Sequence, residues 1–582
     1  MKRPSVKQVE IRDGFWTPYL RNIREVMLPY VFDKFEEIGY LNNFREVAKR
    51  SDAKHVGPPF SDGLVMESLR GACDLYAQYP TPTLRKIIDK VAKVVCDAAD
   101  ADPDGFLCTC TTQNRPESRW GANGVSLVIN HDLYNHGCLI EAGISHYLAT
   151  GETALLDRAR RAADYICRVI GPDKVNEVPG HSLPEEAFIK LYRLTGDEKY
   201  PEMVRFWYDG RGSRQGRNVC THPQYSQASF NQDHAPFGEQ RTAEGHAVRA
   251  MLCYLGAAAF TNVGAGDYRE SLQAIWKNVI DKRLHISGGV GTRYDIEGFD
   301  VDYNLPNDAY LETCAAVALC FWSGEMSLLW RDSQYMNVFE QALSNNVLAS
   351  IGQDFMHYFY DNPLISDGSK HRWDWHGCPC CPPMLLKLYG SLSSYIYAIG
   401  ESLRVDLYIG SRMEWEKGSV EQNDRRFIID SKGRELTVYF RIPAYAHNFE
   451  LWKNGEKLVV ANQDGYAAVT DVWRVTDQVE VRFATSPVRV AAHAAVEADA
   501  GRVAVQYGPY VMCAEGEDDG ELAEDWQPQV QDDTVMVRMS DGRRISLIPY
   551  YRWCNNGEQT MRVWLRQQGD RTRASDTLYY KW

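Results

Sequence analysis

Hydrophobic periodicity changes once along this chain of 582 residues, and the change splits it into two kinds of structure. From about residue 15 to 400, apolar side chains recur at steps of three and four. Val65, Leu69, Ala72, Cys73 and Tyr76 follow Ser61-Asp62, a pair that predicts a helix cap. Leu139, Ile140, Ile144 and Tyr147 repeat the pattern, as do Phe188, Leu191, Tyr192 and Leu194 before Gly196, and Val248, Met251, Leu252 and Leu255. The last clear case is Leu385, Leu388, Tyr389, Leu392, Tyr395 and Ile396. About a dozen such helices joined by long polar loops predict paired helices in an α/α toroid, with loops gathered over one end. After about residue 403 the period is two, as in Leu436 to Ile442, Val479 to Phe483 and Arg502 to Tyr507. Turns such as Asn454-Gly455 separate these runs, so the C-terminal part is all-β, in one or two sandwiches. The acidic run Glu515 to Asp519 reads as a solvated loop.

Composition excludes some classes of partner. A net charge of −14 argues against nucleic acid or an anionic membrane surface. No apolar run reaches the roughly 18 residues of a membrane span, and none follows the basic residues Lys2 and Arg3 as in a signal peptide. The fifteen cysteines are scattered from Cys73 to Cys554, mostly in apolar stretches such as those of Cys96, Cys167, Cys253 and Cys320. They read as reduced, buried thiols, and a cytoplasmic enzyme is expected. The 15 Trp and 33 Tyr serve large cores and sugar-stacking surfaces alike.

Cys378-Pro379-Cys380-Cys381-Pro382-Pro383 is the densest chemical signal. Proline suits the first turn of a helix, so Cys380 and Cys381 are placed at or just before a helix N-terminus. The residue before a proline favours an extended backbone. The free N–H groups and dipole of a helix start stabilise a thiolate. The run is a metal site, a nucleophile or both; a structural zinc explains the thiols equally well. Glu312-Thr313-Cys314 has a spacing that shares a face in an extended segment and diverges inside a helix. A helix from Ala315 to Phe321 therefore starts at or just after it. Glu312, Cys314 and the cysteine run then supply a carboxylate and thiolates for a tetrahedral Zn²⁺ site.

Glu297 lies in a glycine-rich loop, Gly289 to Phe299, where a carboxyl is free to enter a cleft as general acid and base. A solvated loop glutamate is the plainer reading, and Asp295 and Asp300 have equal claims. His131, His181 and His246 each sit at a loop-to-helix junction, the end at which a toroid binds ligand. Each alone reads as a satisfied structural histidine; together they suggest a polar, sugar-binding cleft.

These segments together resemble glycoside hydrolase family 127, whose founding activity is β-L-arabinofuranosidase. The resemblance runs nearly end to end. It is carried by Asp13-Gly14-Phe15-Trp16, His131 to Asn135, Val178-Pro179-Gly180-His181, Gly245 to Ala250, Leu305 to Asp308, Glu312-Thr313-Cys314, Cys380-Cys381-Pro382-Pro383 and Phe440 to Ala444. Family 146 shares the zinc-thiolate site. The resemblance implies an (α/α)6 barrel followed by C-terminal β-sandwich domains, with boundaries at 8–403, 404–486 and 487–582. It also implies a retaining exo-glycosidase with Cys380 as nucleophile and Glu297 as acid/base. The Zn²⁺ ligands are then Glu312, Cys314, Cys380 and Cys381, and His131, His181 and His246 line the sugar subsite. The implied substrate is an oligosaccharide or glycoconjugate with a terminal β-L-arabinofuranoside, or another unusual terminal sugar of pectic side chains. A homodimer is compatible. A polysaccharide lyase and a non-catalytic sugar-binding protein are the more distant readings. The chain departs from its relatives at Met384, where asparagine is common, at Ser182 to Glu186, and at Gly298, where alanine is common. These positions are expected near the sugar.

Overall fold

The structure, a computed structural model, describes residues 1–213, 216–567 and 575–581. Among the described residues, six helices form a closed inner ring: α1 (Ser61–Gln78), α2 (Asp132–Thr150), α3 (Pro184–Thr195), α4 (Ala247–Asn262), α5 (Thr313–Leu329) and α6 (Cys381–Ser391). Each packs on the next, and α6 returns to α1. Outer helices, such as Pro82–Ala99 and Ala154–Val169, cover the ring. The helical part is an (α/α)6 barrel.

The sequence explains the two layers. The outer helix Pro82–Ala99 buries one stripe, from Leu84 and Ile88 to Val95 and Ala99, and leaves its other side to solvent. In α5 nearly every residue from Thr313 to Ser327 is buried, so the helix is apolar all round except at its ends. Small residues let the inner helices approach closely. A Cβ on Gly71 of α1 would lie 2.7 Å from the backbone of Leu386 in α6.

The barrel axis holds a buried charge cluster. Lys387 Nζ lies 3.0 Å from carboxylates of both Glu67 and Glu141, and Arg70 meets Glu141 at 2.6 Å. Removing one partner of such a set leaves a buried charge unpaired. Lys387→Met is therefore expected to cost about 3–5 kcal/mol, read as a lower denaturant midpoint; an unchanged midpoint would mean the cluster contributes nothing to the barrel.

Some local expectations are corrected. Ser61 and Asp62 are the first residues of α1 rather than its cap; Asp62 instead accepts from the backbone and hydroxyl of Thr109 at 2.6 and 2.7 Å. The last inner helix stops at Ser391, and Ile396 lies beyond a short 3₁₀ turn. Asp519, in the acidic run, faces Arg566 at 2.8 Å and Arg502 at 3.3 Å instead of open solvent.

The β part begins at Tyr397–Ile399. A seven-stranded sheet includes Ser411–Trp415, Gly418–Asn423, Arg426–Asp430 and Val479–Ala484, and the N-terminal strand Val9–Ile11 joins its edge, Val9 opposite Met413. A five-stranded sheet centred on Glu435–Arg441 packs against it through contacts such as Phe427 on Phe440, with ring centroids 5.2 Å apart. The remaining strands form one eleven-stranded sheet. Alternation decides its two faces. Ala504, Val511 and Cys513 share a core with Leu311, Phe359 and Leu364 of the helical part, while Val503, Val505 and Met512 fill a separate core on the other side.

That sheet also reaches the cysteine loop. Ile365–Asp367 pairs antiparallel with Thr560–Arg562, Arg372 donates to the carbonyls of Trp553 and Cys554, and Tyr550 Oη donates to Asn362 O at 2.9 Å. The loop before α6 is thus held from behind by the C-terminal strands.

Candidate active site

All six inner helices start at the same end of the barrel, and a cavity of about 370 Å³ lies there. Each helix start brings one piece of it. Phe60 precedes α1, His131 caps α2, His181 stands just before α3, His246 caps α4, Glu312 caps α5 and Cys380 caps α6. Six helix N-termini pointing at one volume favour negative charge in it.

The thiols and a carboxylate form a tight cluster. Cys314 Sγ is 3.2 Å from Cys380 Sγ and 3.6 Å from Cys381 Sγ, and the last two are 3.9 Å apart. Glu312 Oε1 is 3.4 Å from Cys380 Sγ. No cysteine of the chain is in a disulfide. One ligand atom from each of Glu312, Cys314, Cys380 and Cys381 lies within 4.8 Å of the others. A tetrahedral ion with bonds of about 2.3 Å to sulfur has ligand edges of about 3.8 Å, close to these separations. Glu312 Oε2 is buried and lacks a hydrogen-bond partner, the kind of atom a cation satisfies. Burial pushes Glu312 and Cys314 well above their usual ranges. At Cys380, contacts with Cys314 and Cys378 pull down, but Cys381 and burial push the thiol up overall. At Cys381 burial pushes up, but contacts with Cys314 and Cys380 outweigh it and lower the thiol. Three acids that resist ionisation beside one that yields more readily, all aimed at one point, fit a divalent cation.

The local backbone differs from expectation in two details. Glu312 is extended (ψ 136°), but Cys314 already lies in the first turn of α5, and both side chains still reach one point because the cap residue has not yet joined the helical screw. Cys381 precedes Pro382 yet is the first residue of α6; at a helix start Pro382 removes only an N–H that has no intrahelical partner. Cys378 stands outside the four-residue set. Its sulfur is 3.6 Å from Tyr360 Oη, which lies equally far from Cys380 Sγ.

Glu297 enters the cavity from a tight turn, at φ 50°. The next residue must be small: a Cβ on Gly298 would sit 2.3 Å from Gly245 O. This close approach explains the glycine found there. Glu297 Oε2 accepts from His246 Nε2 at 3.0 Å and Oε1 from Tyr310 Oη at 2.9 Å. Burial raises this carboxyl, but His246, Tyr310 and the charge of Arg249 outweigh it and hold it below the usual range. Asp295 is instead paired with Arg293, and Asp300 accepts from Asn304 at 2.7 Å; neither lines the cavity.

The three histidines form a row, with ring centroids 5.9 Å apart from His131 to His181 and 6.1 Å from His181 to His246. Nδ1 of His131 donates to Ile129 O and Nδ1 of His181 to Ser182 O, at 2.8 and 2.9 Å, which leaves Nε2 of each as an acceptor. Burial and Arg249 push His131 down to about 3 and His181 well below its ordinary value. Both rings are therefore neutral at physiological pH.

Residues 8–394 match the family model for the catalytic domain of GH127 β-L-arabinofuranosidases. Residues 402–485 match the family's middle domain and 487–566 its C-terminal domain. The chain belongs to glycoside hydrolase family 127. It is a glycoside hydrolase. The non-reducing end β-L-arabinofuranosidase of Bifidobacterium longum is 28% identical over 90% of this chain and 92% of that protein. A solved GH127 β-arabinofuranosidase is 33% identical, with TM-score 0.89, over 97% of this chain and 98% of its own. The GH127 β-L-arabinofuranosidase of Geobacillus stearothermophilus T6 is 31% identical, with TM-score 0.90, over 96% and 100%.

Within this family 127 site, three residues carried no sequence signal strong enough to select them. Arg249 donates to Gly180 O at 2.7 Å and to Val128 O and His131 at longer range, so one buried guanidinium ties together the loops that bear His131, His181 and His246. Its spacing of three from His246 on one helix face was the available clue. Tyr310 and Tyr360 are single tyrosines in loops, indistinguishable by sequence from packing residues. Among the departures from relatives, Met384 lines the cavity. Ser182, Glu185 and Glu186 do not; Glu185 pairs with buried Arg211 at 2.7 Å and Glu186 with Lys190.

No helix among the described residues is long and apolar enough to cross a membrane.

Proposed function

We propose that this enzyme is a retaining exo-β-L-arabinofuranosidase in which Cys380 is the nucleophile and Glu297 the acid/base. One observation carries the assignment of the nucleophile. Cys380 belongs to the four-residue cluster, lines the cavity and is only half-buried, whereas Cys314 and Cys381 are buried. Glu312, Cys314, Cys380 and Cys381 would hold Zn²⁺, which keeps thiolates ionised at neutral pH. The names of the matched relatives supply the glycone, and the cavity volume suits one terminal sugar.

In the first step Cys380 Sγ attacks the anomeric carbon while Glu297, which must first take up a proton because its neighbours hold it ionised in the free site, gives that proton to the departing oxygen. The glycosidic C–O bond breaks and a thioglycosyl intermediate forms on Cys380. Glu297, now a carboxylate, takes a proton from water, whose oxygen displaces Cys380 from the same carbon. Two displacements retain the configuration. The donors at Glu297, His246 and Tyr310, steady the carboxylate between the steps. The neutral His181 offers its Nε2 acceptor to a sugar hydroxyl, whereas that of His131 faces the guanidinium of Arg249 at 3.5 Å.

The deciding assay is release of p-nitrophenol from p-nitrophenyl β-L-arabinofuranoside by reduced, zinc-loaded protein, with the anomer of the first-formed sugar read by NMR. Turnover with the β anomer formed first is expected. A first-formed α anomer would overturn retention. No turnover would move the glycone to another terminal sugar, with the apolar Met384 as the first cause to test. Stripping the metal with a strong chelator is expected to abolish turnover and lower the thermal midpoint, and added Zn²⁺ to restore both. Full activity in demonstrably metal-free protein would remove the metal from the reaction.

A further inference from the structure

The segment Leu305 to Asp308 lines no part of the cavity, yet it leads directly into the site. From Asn307 the chain runs through Tyr310, which bonds Glu297, to Glu312 of the metal cluster. On one side this stretch pairs with the start of the Glu297 loop: Tyr310 N donates to Thr292 O at 3.2 Å and Leu311 N to Gly291 O at 2.9 Å. On the other, Leu364 N donates to Asn307 O at 2.7 Å. Whatever fixes Asn307 therefore fixes the stretch that carries both Tyr310 and Glu312.

The side chain of Asn307 is held by another domain. Its Nδ2 donates to Asp499 Oδ1 at 3.0 Å, across 192 positions of sequence. Asp499 is 5% exposed and ends a short 3₁₀ turn, Glu497–Asp499, in the C-terminal domain. The same seam holds Tyr303 stacked on His493, with centroids 4.6 Å apart, and Tyr579 Oη bonded to Leu284 O at 2.8 Å. Among the described residues, Asn307 Oδ1 is buried with no donor, and no cation pairs with Asp499. Arg502 attracts it from the neighbouring strand but is bonded to Asp519 at 3.3 Å and to Trp564 O at 3.1 Å. Tyr579 faces it from the last strand as a neutral phenol, and Glu497 in its own turn is exposed. A buried carboxylate without a cation is costly, and so is a buried amide oxygen without a donor. One proton on Asp499 relieves both, because a carboxylic acid accepts at one oxygen and donates from the other, and a primary amide can do the reverse.

We infer that Asp499 is a positioning residue for the reaction: as an uncharged carboxyl it clasps Asn307 and so steadies Tyr310 and Glu312 from the C-terminal domain. Burial outweighs the pull of Asn307 and Arg502 on this carboxyl and pushes it up to about 7. The clasp is closed in mild acid and loses its proton above neutrality, so a residue outside the barrel sets an alkaline limit on the site.

Asp499→Asn decides the matter, since an amide offers the same donor and acceptor at every pH; Asp499→Leu removes both. A carboxyl raised in the folded state gives stability that is full below about pH 4, where the unfolded chain also holds the proton, and that is lost as pH rises to about 7. The thermal midpoint of Asp499→Asn is therefore expected to gain on that of wild type by about 2 °C or more between pH 5 and pH 8. Turnover of p-nitrophenyl β-L-arabinofuranoside by the full-length, zinc-loaded proteins is expected to agree within about twofold at pH 5.5, with wild type about threefold or more slower than Asp499→Asn at pH 8.5. Glu297 and the thiols are common to both proteins and cancel in this ratio. Asp499→Leu should be slow at both pH values. A ratio and a midpoint gap that stay constant with pH, or an Asp499→Asn variant slower than wild type throughout, would overturn the clasp. The turnover arm rests on the glycosidase reading above. If no protein turns over the substrate, that reading fails by itself, and the midpoints, together with zinc affinity read by chelator competition at the same two pH values, still decide the clasp.

Discussion

Cys380→Ser is expected to lower kcat by at least about a thousandfold, because a serine hydroxyl is a far weaker nucleophile and leaving group than an ionised thiol. The fold should survive. Position 380 is the cap of α6, where serine is favourable, and the side chain is half-buried. The residue is also a candidate metal ligand, so loss of activity alone would be ambiguous. Cys314→Ser separates the roles: it removes a ligand but not the nucleophile, so excess Zn²⁺ should recover part of its activity and none of that of Cys380→Ser. Acid-quenched wild-type protein should carry a pentosyl group on the peptide containing Cys380, absent from the Cys380→Ser variant. Near-normal turnover in Cys380→Ser would remove it from the reaction and leave a structural thiol cluster.

Glu297→Gln is the second large effect, about a hundred- to ten-thousandfold on substrates with a poor leaving group. The amide keeps an oxygen for Tyr310 but cannot give or take a proton. With a p-nitrophenyl leaving group the first step needs little acid help, so the second step should limit and the thioglycosyl enzyme should accumulate. Added azide or formate should then restore turnover. Equal losses on good and poor leaving groups, with no rescue, would assign Glu297 to orientation of His246 instead. Its position argues for a direct role: its carboxylate, that of Glu312 and the His246 ring have ligand atoms within 4.8 Å of one another.

Much of the barrel was legible because helical period is written locally. The runs ending at Gly196 and at Leu255 lie in α3 and α4 as read. Boundaries failed where a local cue had a non-local use: Asp62 resembles a cap, but its carboxylate is claimed by Thr109, 47 residues away. Val9–Ile11 and Ile365–Asp367 were missed as strands, since three residues carry too little pattern and their partners lie far along the chain. Tyr310, Tyr360 and Arg249 were missed for a related reason: each matters through a partner on another loop.

The sequence by itself determined that thiols would stand at a helix start, that Glu312 and Cys314 would straddle the beginning of another helix, and that glycine would flank Glu297. These follow from proline, from spacing and from steric freedom, all properties of a few consecutive residues. Only the tertiary structure decided that Glu312 meets Cys380 across 68 positions and that Glu297 meets His246 across 51. Those distances exist because six inner helices close into a ring with their N-termini at one end. Ring closure is a property of how buried faces pack against one another, and no window of sequence contains it.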